Sequence, residues 1–330
     1  MLNPEMKLRE DLWDGKDTAP TRQGFGEGLV EAGEKDPRVV ALSADLTEST
    51  KMDLFEKKFP ERFVQIGVAE QNLVTVASGM AAYGKIPFVT SYAAFSPGRN
   101  WEQIRTTIAL NDVPVKVVGS HAGLLTGPDG ATHQMLEDIA LMRAMPNMMV
   151  FSPCDADEAR KVTLAAAVSG KPAYIRVERE KMPRMTTADT PFTIGKANVM
   201  WQTEKPVVAL FATGSLLHNA LKAARDLEGE GVMVTVTNIH TIKPIDTETI
   251  VREATRAGAV VTVEEHQING GLGSAVAEVL GREAPTPMEF IGVEDRYGQS
   301  GTAAQLIEHY GLGVTHIKDA VKRVLGKKRT

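Results

Sequence analysis

The sequence has few of the residues that build a disulfide framework or a thiolate metal site. Cys154 is the single cysteine among 330 residues, which excludes an intrachain disulfide and any site that needs two thiolates. No apolar run approaches the ~20 residues that span a bilayer. The N-terminal residues mix both charge signs and lack the apolar segment of a signal peptide. From these absences we expect a cytoplasmic protein that does not associate with a membrane.

An excess of positive charge is also missing. The chain carries 37 basic and 42 acidic residues, for a net charge of -5, and this balance argues against nucleic acid as a partner. Hydrophobic residues make up 43 % and charged residues 24 % of the chain, as in ordinary globular proteins. The length suits about two domains of ~100–200 residues each.

Short apolar segments alternate with amphipathic stretches along most of the chain. This rhythm predicts strands separated by helices, and therefore mostly parallel sheets covered by helices on both faces. The predicted strands are 39–45, 63–68, 87–91, 114–119, 148–152, 172–177, 207–212, 233–239, 259–265 and 289–293. The predicted helices are 70–83, 100–109, 134–144, 155–169, 216–227, 247–257 and 273–280, with two more at the C-terminal end.

The rhythm stops after residue 177, where a polar segment with three prolines predicts a linker with at most a short ribbon. We therefore predict an α/β protein of two domains, each a mostly parallel sheet covered by helices. The expected divisions are a polar N-terminal arm over 1–17, a first domain over 18–185, a linker over 186–199 and a second domain over 200–330.

The segment Gly-Val-Ala-Glu-Gln-Asn, residues 67–72, joins a predicted strand to a predicted helix. Ligands in open α/β sheets bind at the carboxyl ends of strands, which is where this pattern places Glu70. A carboxylate in the first helical turn is also favoured by the helix dipole. The residue alone is thus consistent with function or with ordinary helix chemistry.

Two further loops follow predicted strands. The first, residues 90–99, contains Tyr92, Phe95 and Arg99 and can offer a flat ring to a planar ligand. The second, residues 120–134, combines His121, Asp129 and His133 with three glycines, and its spacing favours acid–base or hydrogen-bonding roles over metal ligation. By contrast, the glycine-rich segment 269–274 suggests a tight turn into a helix that needs glycine.

In this order, the three motifs resemble the pyrimidine-binding domain of transketolases and 1-deoxyxylulose-5-phosphate synthases. The later residues resemble the C-terminal domain of the same family. The resemblance implies thiamine diphosphate as cofactor and transfer of a two-carbon ketol unit between sugar phosphates, as in the pentose phosphate pathway. The chain is identified as similar to a transketolase C-terminal section, a split subunit carrying those two domains.

The resemblance also implies roles for individual residues at the cofactor. Glu70 matches the glutamate that binds N1′ of the thiamine pyrimidine, where a carboxyl group favours the imino form that can remove the thiazolium C2 proton. Phe95, with Tyr92 beside it, matches the aromatic side chain that stacks on the pyrimidine. Asp45 lies in a Ser-Ala-Asp-Leu segment that the family places near the cofactor.

Six residues match positions that face the sugar phosphate. Asp129 and His133 correspond to residues near the hydroxyl and carbonyl groups of the sugar, where protons move as the C–C bond breaks. The phosphate-binding positions are matched by His121, Arg179, Arg22 and Ser49. Arginine suits that task because its guanidinium makes paired, charge-assisted hydrogen bonds to phosphate oxygens.

The family holds the cofactor diphosphate through Mg²⁺ or Ca²⁺ with a Gly-Asp-Gly segment and a later asparagine, and this sequence contains no Gly-Asp-Gly. We therefore expect a separate N-terminal transketolase subunit to hold the metal and the diphosphate. The expected assembly is a heterotetramer of two copies of each subunit. The N-terminal Met and the charged arm suggest a separately made subunit, and a truncated fragment remains the alternative.

Three other functions are compatible with the motifs. A 1-deoxyxylulose-5-phosphate synthase would use the same residues on related sugars. The β subunit of a 2-oxo-acid dehydrogenase has the same two domains, but its substrate offers no sugar phosphate for His121 and Arg179 to bind. A non-catalytic scaffold would be expected to have lost at least one of the five residues Glu70, Asp129, His133, His121 and Arg179. The preferred sugar phosphates are left open by the sequence.

Overall fold

The computed structural model describes residues 1–328, so the last two residues of the expected 200–330 domain lie outside the described residues. Over that range the strands are β1 Thr18–Ala19, β2 Val39–Ser43, β3 Phe63–Gln65, β4 Ile86–Tyr92, β5 Lys116–Ser120, β6 Met149–Phe151, β7 Ala173–Arg176, β8 Met182–Pro183, β9 Asn198–Trp201, β10 Val208–Ala212, β11 Val234–Asn238, β12 Thr241–Lys243, β13 Val260–Gln267 and β14 Met288–Val293.

Helices connect most of these strands. They are α1 Thr21–Lys35, α2 Asp53–Lys58, α3 Glu70–Ala82, α4 Trp101–Gln103, α5 Asp138–Arg143, α6 Ala156–Val168, α7 Leu217–Gly229, α8 Thr247–Ala257, α9 Leu272–Glu283, α10 Ala303–His309 and α11 Val314–Lys327. Short 3₁₀ turns form at Pro4–Met6, Pro60–Arg62, Leu124–Asp129 and Gly214–Leu216, and Ile104–Ala109 is a π-helical turn. Among the described helices, none combines the length and apolar character needed to cross a membrane.

The strands form two large sheets, which confirms the predicted α/β fold of two mostly parallel sheets. The first has the order β12-β6-β7-β5-β4-β2-β3 and is parallel except at β12. The second has the order β14-β13-β10-β11-β9 and is parallel except at β9. β1 and β8 pair as a separate antiparallel ribbon.

Helix α1 is absent from the predicted elements. Its sequence contains four glycines, which lower helix propensity, but these glycines allow close packing against α6. A Cβ at Gly24 would lie 1.8 Å from the Ala156 carbonyl oxygen, and one at Gly28 would lie 2.9 Å from the Arg160 carbonyl oxygen. Tertiary packing therefore outweighs the poor local propensity.

One predicted helix has wrong boundaries, and a second has the predicted extent but a different helix type. The predicted helix 134–144 is shorter and spans only Asp138–Arg143, because residues 134–137 turn to meet the second domain. The predicted helix 100–109 begins as α4 and continues as the π-helical turn. The turn over 269–274 is confirmed: Gly270 has φ +82°, and α9 begins immediately after it.

The N-terminal arm contacts the second domain as well as the end of the first, where the Arg9 backbone N–H donates to the Met185 carbonyl oxygen. Asn3 donates through its backbone N–H to the Met200 carbonyl oxygen and through its side chain to that of Val199. Leu12 is buried, and its carbonyl oxygen lies 3.0 Å from a ring nitrogen of His218. The arm thus joins β9, a strand that overlaps the end of the expected linker.

A shared apolar core holds the two domains together. One cluster of buried side chains contains Val89 and Ile108 from the first domain and Phe211 and Leu272 from the second. Burial of such side chains contributes roughly 1.5–3 kcal/mol each. The domains therefore meet through a packed interface, and the loop that bears Asp129 and His133 lies beside it.

Candidate active site

Glu70 is the first residue of α3 and is only 1 % exposed. Its Oε1 accepts a hydrogen bond from Ser91 Oγ at 3.0 Å, and its Oε2 lies 2.5 Å from Arg99 Nη1. The sheet order explains both contacts. Glu70 follows β3, whereas Ser91 lies on β4 and Arg99 in the loop after it. Strands β3 and β4 flank β2 and end at the same edge of the sheet. The buried carboxylate is therefore held by side chains at the carboxyl end of the first sheet.

Four aromatic rings gather beside this carboxylate. Tyr92 stacks on the ring of His121 with centroids 3.8 Å apart, and on Phe95 at 6.1 Å. His133 meets Phe95 edge-on at 5.3 Å. The Arg99 guanidinium lies 4.8 Å from the Phe95 ring centroid, so it connects the rings to Glu70. The cluster offers flat apolar surface next to a carboxylate.

A cationic cluster lies on the other side of His121. Arg22 Nη1 is 3.4 Å from His121 Nε2 and also donates to the Ser49 carbonyl oxygen. The Tyr92 hydroxyl lies 3.3 Å from Ser49 Oγ. Arg22 Nε is buried and has no hydrogen-bond partner within residues 1–328. These donors suit an anion that would accept hydrogen bonds from them.

The electrostatics of this cluster support the same conclusion. Burial, together with the charges of Arg22 and Arg179, lowers the pKa of His121 to about 3, so the ring is neutral near pH 7. Burial and the charge of Arg179 also lower the pKa of Arg22. A bound anion would raise the pKa values of both His121 and Arg22 again, because its negative charge would stabilise their protonated forms.

The loop over residues 121–134, here called the 121–134 loop, carries Asp129 and His133. Arg179 Nη1 donates to the Thr126 carbonyl oxygen at 3.0 Å and lies 3.3 Å from Asp129 Oδ1. His133 Nδ1 lies 2.9 Å from Thr132 Oγ1. The ring of His133 thus belongs to the aromatic cluster, while Asp129 belongs to the cationic one.

Asp45 lies apart from both clusters. Its backbone N–H donates to Gln65 Oε1 at 2.8 Å, and the same oxygen accepts from Gly67 N–H at 3.3 Å. This places Asp45 at the sheet edge near the start of α3. Within the described residues, its carboxylate makes no hydrogen bond or ion pair with another candidate residue.

Sequence reasoning missed three members of the Glu70 environment. Ser91 and Arg99 both lie in the loop over residues 90–99, but the sequence pattern assigns neither of them a role. The available signal was their position after a strand that was expected to end at the same sheet edge as Glu70. A third partner, Asn100, donates to the Glu70 carbonyl oxygen at 2.8 Å.

The described residues contain no group of three or more His, Cys, Asp or Glu side chains placed to hold a metal ion. The sheet edge presents a buried carboxylate, stacked rings and paired guanidinium groups, which is the chemistry that the pyrimidine and phosphate-binding parts of a thiamine site require. The Gly-Asp-Gly segment of its metal–diphosphate part does not occur in the sequence.

Comparison with known proteins assigns both domains. The family "Transketolase, pyrimidine binding domain" matches residues 17–185, and "Transketolase, C-terminal domain" matches residues 195–317.

Similarity to individual proteins extends over nearly the whole chain. The 6-deoxy-6-sulfo-D-fructose transketolase subunit SqwH of Clostridium sp. (strain MSTE9) is 39 % identical over 98 % of this chain and 98 % of its own length. The putative transketolase C-terminal section of Methanocaldococcus jannaschii is 41 % identical over 93 % of this chain and 96 % of its own. A solved structure described as "Split gene transketolase, inactive beta4 tetramer" has a TM-score of 0.88 and 45 % identity, covering 94 % of this chain and 99 % of that one. The chain therefore belongs to the transketolase family and corresponds to its C-terminal section, with the pyrimidine-binding and C-terminal domains.

Proposed function

We propose that this chain is the C-terminal subunit of a thiamine-diphosphate-dependent transketolase that works in the cytoplasm. It would transfer a two-carbon ketol unit between sugar phosphates, and only together with a separate N-terminal subunit. The observation that carries the proposal is the buried Glu70 carboxylate, which adjoins stacked rings and a cationic cluster at one sheet edge.

Glu70 would hold N1′ of the cofactor pyrimidine and exchange a proton with it. Within residues 1–328 both carboxylate oxygens are bonded to side chains, Ser91 and Arg99, and to no backbone N–H. Arg99 is about half exposed, so it can move without unfolding its surroundings. Bound thiamine diphosphate would supply the carbon nucleophile that accepts the ketol unit. Phe95 and Tyr92 would present their rings to the pyrimidine, with Asp45 nearby at the same edge.

Arg22, Arg179, His121 and Ser49 would bind the substrate phosphate. The support is the lowered pKa values of Arg22 and His121 and the unpartnered Nε of Arg22. His121 would act as a neutral hydrogen-bonding group rather than as a cation.

Asp129 and His133 lie at the boundary between the rings and the phosphate-binding residues. They would therefore meet the hydroxyl and carbonyl groups of the sugar. There they could move protons as the C–C bond breaks.

The metal ion, Mg²⁺ or Ca²⁺, would be held by the partner subunit together with the diphosphate. The support is the missing Gly-Asp-Gly segment. A symmetric complex of two copies of each subunit would bring both halves of the site together. The split gene transketolase of known structure is described as an inactive β4 tetramer. That state belongs to that protein, and it is compatible with a partner requirement here.

Reconstitution tests the proposal. The purified chain, titrated calorimetrically with thiamine diphosphate and Mg²⁺, is expected to bind weakly and to catalyse no ketol transfer. Addition of a partner with the Gly-Asp-Gly segment should restore both. Sub-micromolar binding by the chain alone would contradict the division of labour between subunits.

The phosphate-binding residues can be tested within the same assay. Arg179→Ala should raise KM for a phosphorylated aldehyde acceptor by about tenfold, the scale of one lost charge-assisted hydrogen bond, and leave KM for glycolaldehyde nearly unchanged. The matched control is Arg38→Ala, which removes an exposed arginine paired with Asp36. Equal effects of the two changes would argue against a phosphate role for Arg179.

A further inference from the structure

A buried polar side chain of the second domain contacts the 121–134 loop. Glu265, on β13, is 3 % exposed, and its Oε1 accepts a hydrogen bond from the Leu125 backbone N–H at 2.6 Å. A Cβ at Gly123 would lie within 2.4–2.6 Å of the same carboxyl group, and Gly123 has φ +76°. The loop is therefore shaped around this carboxyl group.

The contact leads directly to residues of the phosphate-binding cluster. Thr126 follows Leu125, and its carbonyl oxygen accepts the hydrogen bond from Arg179 Nη1. Its hydroxyl group donates to the His121 carbonyl oxygen at 2.5 Å. Because Leu125 and Thr126 are consecutive residues of the same short 3₁₀ turn, a shift of the Leu125 N–H would also displace Thr126, and with it these partners of Arg179 and His121.

The environment of Glu265 favours a neutral carboxyl group. Its Oε2 lies 3.7 Å from Arg176 Nη1, but that guanidinium also pairs with Asp138 and Glu178. Burial, followed by the nearby charge of Glu178, raises the pKa of Glu265. A neutral carboxyl group can still accept from Leu125, so glutamine at this position would preserve the essential contact.

We propose that Glu265 is a positioning residue for the substrate phosphate: the C-terminal domain sets the Leu125–Thr126 segment and, through it, Arg179 and His121. The expected effect of Glu265 on KM rests on the proposed function. The structural part, in which Glu265 fixes the loop, does not depend on that function. It also gives the C-terminal domain a role at the active site that no residue of the three sequence motifs implies.

The kinetic test uses the reconstituted enzyme with Glu265→Ala and Glu265→Gln. The alanine variant should raise KM for the phosphorylated acceptor by about tenfold, because a buried N–H loses its acceptor, with KM for glycolaldehyde unchanged. The glutamine variant should restore the wild-type KM to within about threefold, because it retains an accepting oxygen. Glu264→Gln is the matched control, since Glu264 bonds to the start of α9 instead, and it should leave the ratio of the two KM values unaltered. An equal rise for both acceptors in Glu265→Ala would overturn the proposal.

Amide hydrogen exchange tests the loop without any turnover. Peptides covering 121–134 should exchange faster in the Glu265→Ala chain than in wild type, and at the wild-type rate in Glu265→Gln. If the alanine variant does not fold, Glu265→Asp withdraws the acceptor by one methylene group and should produce the same faster exchange. Unchanged exchange in the folded variant would overturn the positioning role. A chain that passes this test but gives no ketol transfer with any partner would refute the proposed function alone.

Discussion

A buried glutamate lies at the carboxyl edge of the sheet in each domain, but the two side chains have different kinds of partner. Glu70 in the first domain is bonded to the side chains of Ser91 and Arg99. Glu264 in the second domain accepts the backbone N–H groups of Leu272 and Gly273 at 2.7 Å, at the start of α9. The second domain therefore fills the N-terminus of its own helix with its own carboxylate.

The two kinds of partner distinguish a candidate ligand-binding carboxylate, Glu70, from a structural one, Glu264, in two domains of similar architecture. Helix N-termini attract anions through their unpaired N–H groups, and in the second domain Glu264 already satisfies two of them. The glycine-rich turn is part of the same arrangement, since a Cβ at Gly271 would lie 2.0 Å from Glu264 Oε2. Side-chain partners such as Arg99 can be exchanged for a ligand, whereas backbone partners cannot leave.

The variant expected to change turnover most, and so to test the contrast between Glu70 and Glu264 most directly, is Glu70→Gln. Turnover of the reconstituted enzyme should fall by at least ~10²-fold, because the amide keeps the shape but cannot exchange a proton with the cofactor. The free energy of unfolding should fall by about 1–3 kcal/mol, because the amide loses the charge-assisted hydrogen bond to Arg99. Stopped-flow turnover and urea titration measure the two effects.

His133→Ala serves as the contrast for Glu70→Gln. It should slow the steps that involve sugar while the cofactor C2 proton still exchanges at the wild-type rate, as followed by deuterium uptake. Wild-type exchange in Glu70→Gln would mean that Glu70 is an ordinary helix-start residue.

The next largest effect is expected in the second domain. Glu264→Ala leaves the Leu272 and Gly273 N–H groups buried without an acceptor and should lower the free energy of unfolding by about 2 kcal/mol. Turnover per folded molecule should stay near wild type, as judged from urea midpoints and assays on the same preparation. A selective loss of turnover would break the proposed contrast with Glu70.

A pH dependence should follow from the buried carboxyl groups. Burial raises the pKa of Glu264 to about 7 from an ordinary value of 4.5, so its stabilising contribution is complete below pH 4.5 and is lost as the pH rises through 7. The loss is at most ~1.4 kcal/mol per pH unit for one group. Glu264→Gln should therefore show a flatter fall in unfolding free energy than wild type between pH 5 and 7.5.

Other buried groups change stability with pH in the opposite direction. The informative quantity is therefore the difference in unfolding free energy between wild type and Glu264→Gln, in which their contributions cancel. Burial lowers the pKa of Lys116 to about 7, so its contribution grows above that pH. Burial also lowers the pKa of four histidines, whose contribution to stability rises with pH only up to their ordinary value of 6.5; they are His121, His218, His240 and His266. Identical slopes for wild type and Glu264→Gln would show that Glu264 does not titrate in this range.

The smallest effects come from a matched pair of serine changes. Ser274 Oγ accepts from Gly270 N–H at 2.7 Å, so Ser274→Ala should cost about 1 kcal/mol of stability and no turnover. Ser91→Ala removes one donor to Glu70 and should lower turnover by about tenfold. Thermal melts and steady-state rates distinguish the pair, and equal turnover in both variants would contradict a functional role for the Ser91 contact.

Much of the fold could be predicted from the alternation of apolar and amphipathic segments, because parallel strands are buried on both faces. Helix α1 could not, since its glycines indicate a helix breaker until their contact with α6 is known. Strand β12 has only three residues, too few for a periodic signal. Elements that depend on distant partners therefore escaped prediction.

The candidate site divides in the same way. Glu70, His121, Asp129 and His133 stand in motifs whose order along the chain carries the family resemblance. The pairing of Glu70 with Arg99 depends on the neighbouring strand order, and the bond from Glu265 to Leu125 spans 140 positions. Such contacts have no local pattern, so only the three-dimensional arrangement reveals them. The roles of the predicted residues remain predictions until the variants are measured.

The short strand β12 has a consequence for the modularity of the chain. It follows β11 of the second sheet yet pairs with β6 as the edge of the first, and Lys243 Nζ donates to the Arg143 carbonyl oxygen at 3.0 Å. A fragment that stopped before residue 200 would lose this strand and expose the β6 edge, a template for aggregation. The two domains should therefore melt in one cooperative transition. Recombination between relatives would succeed only where β12 and its β6 partner come from the same parent.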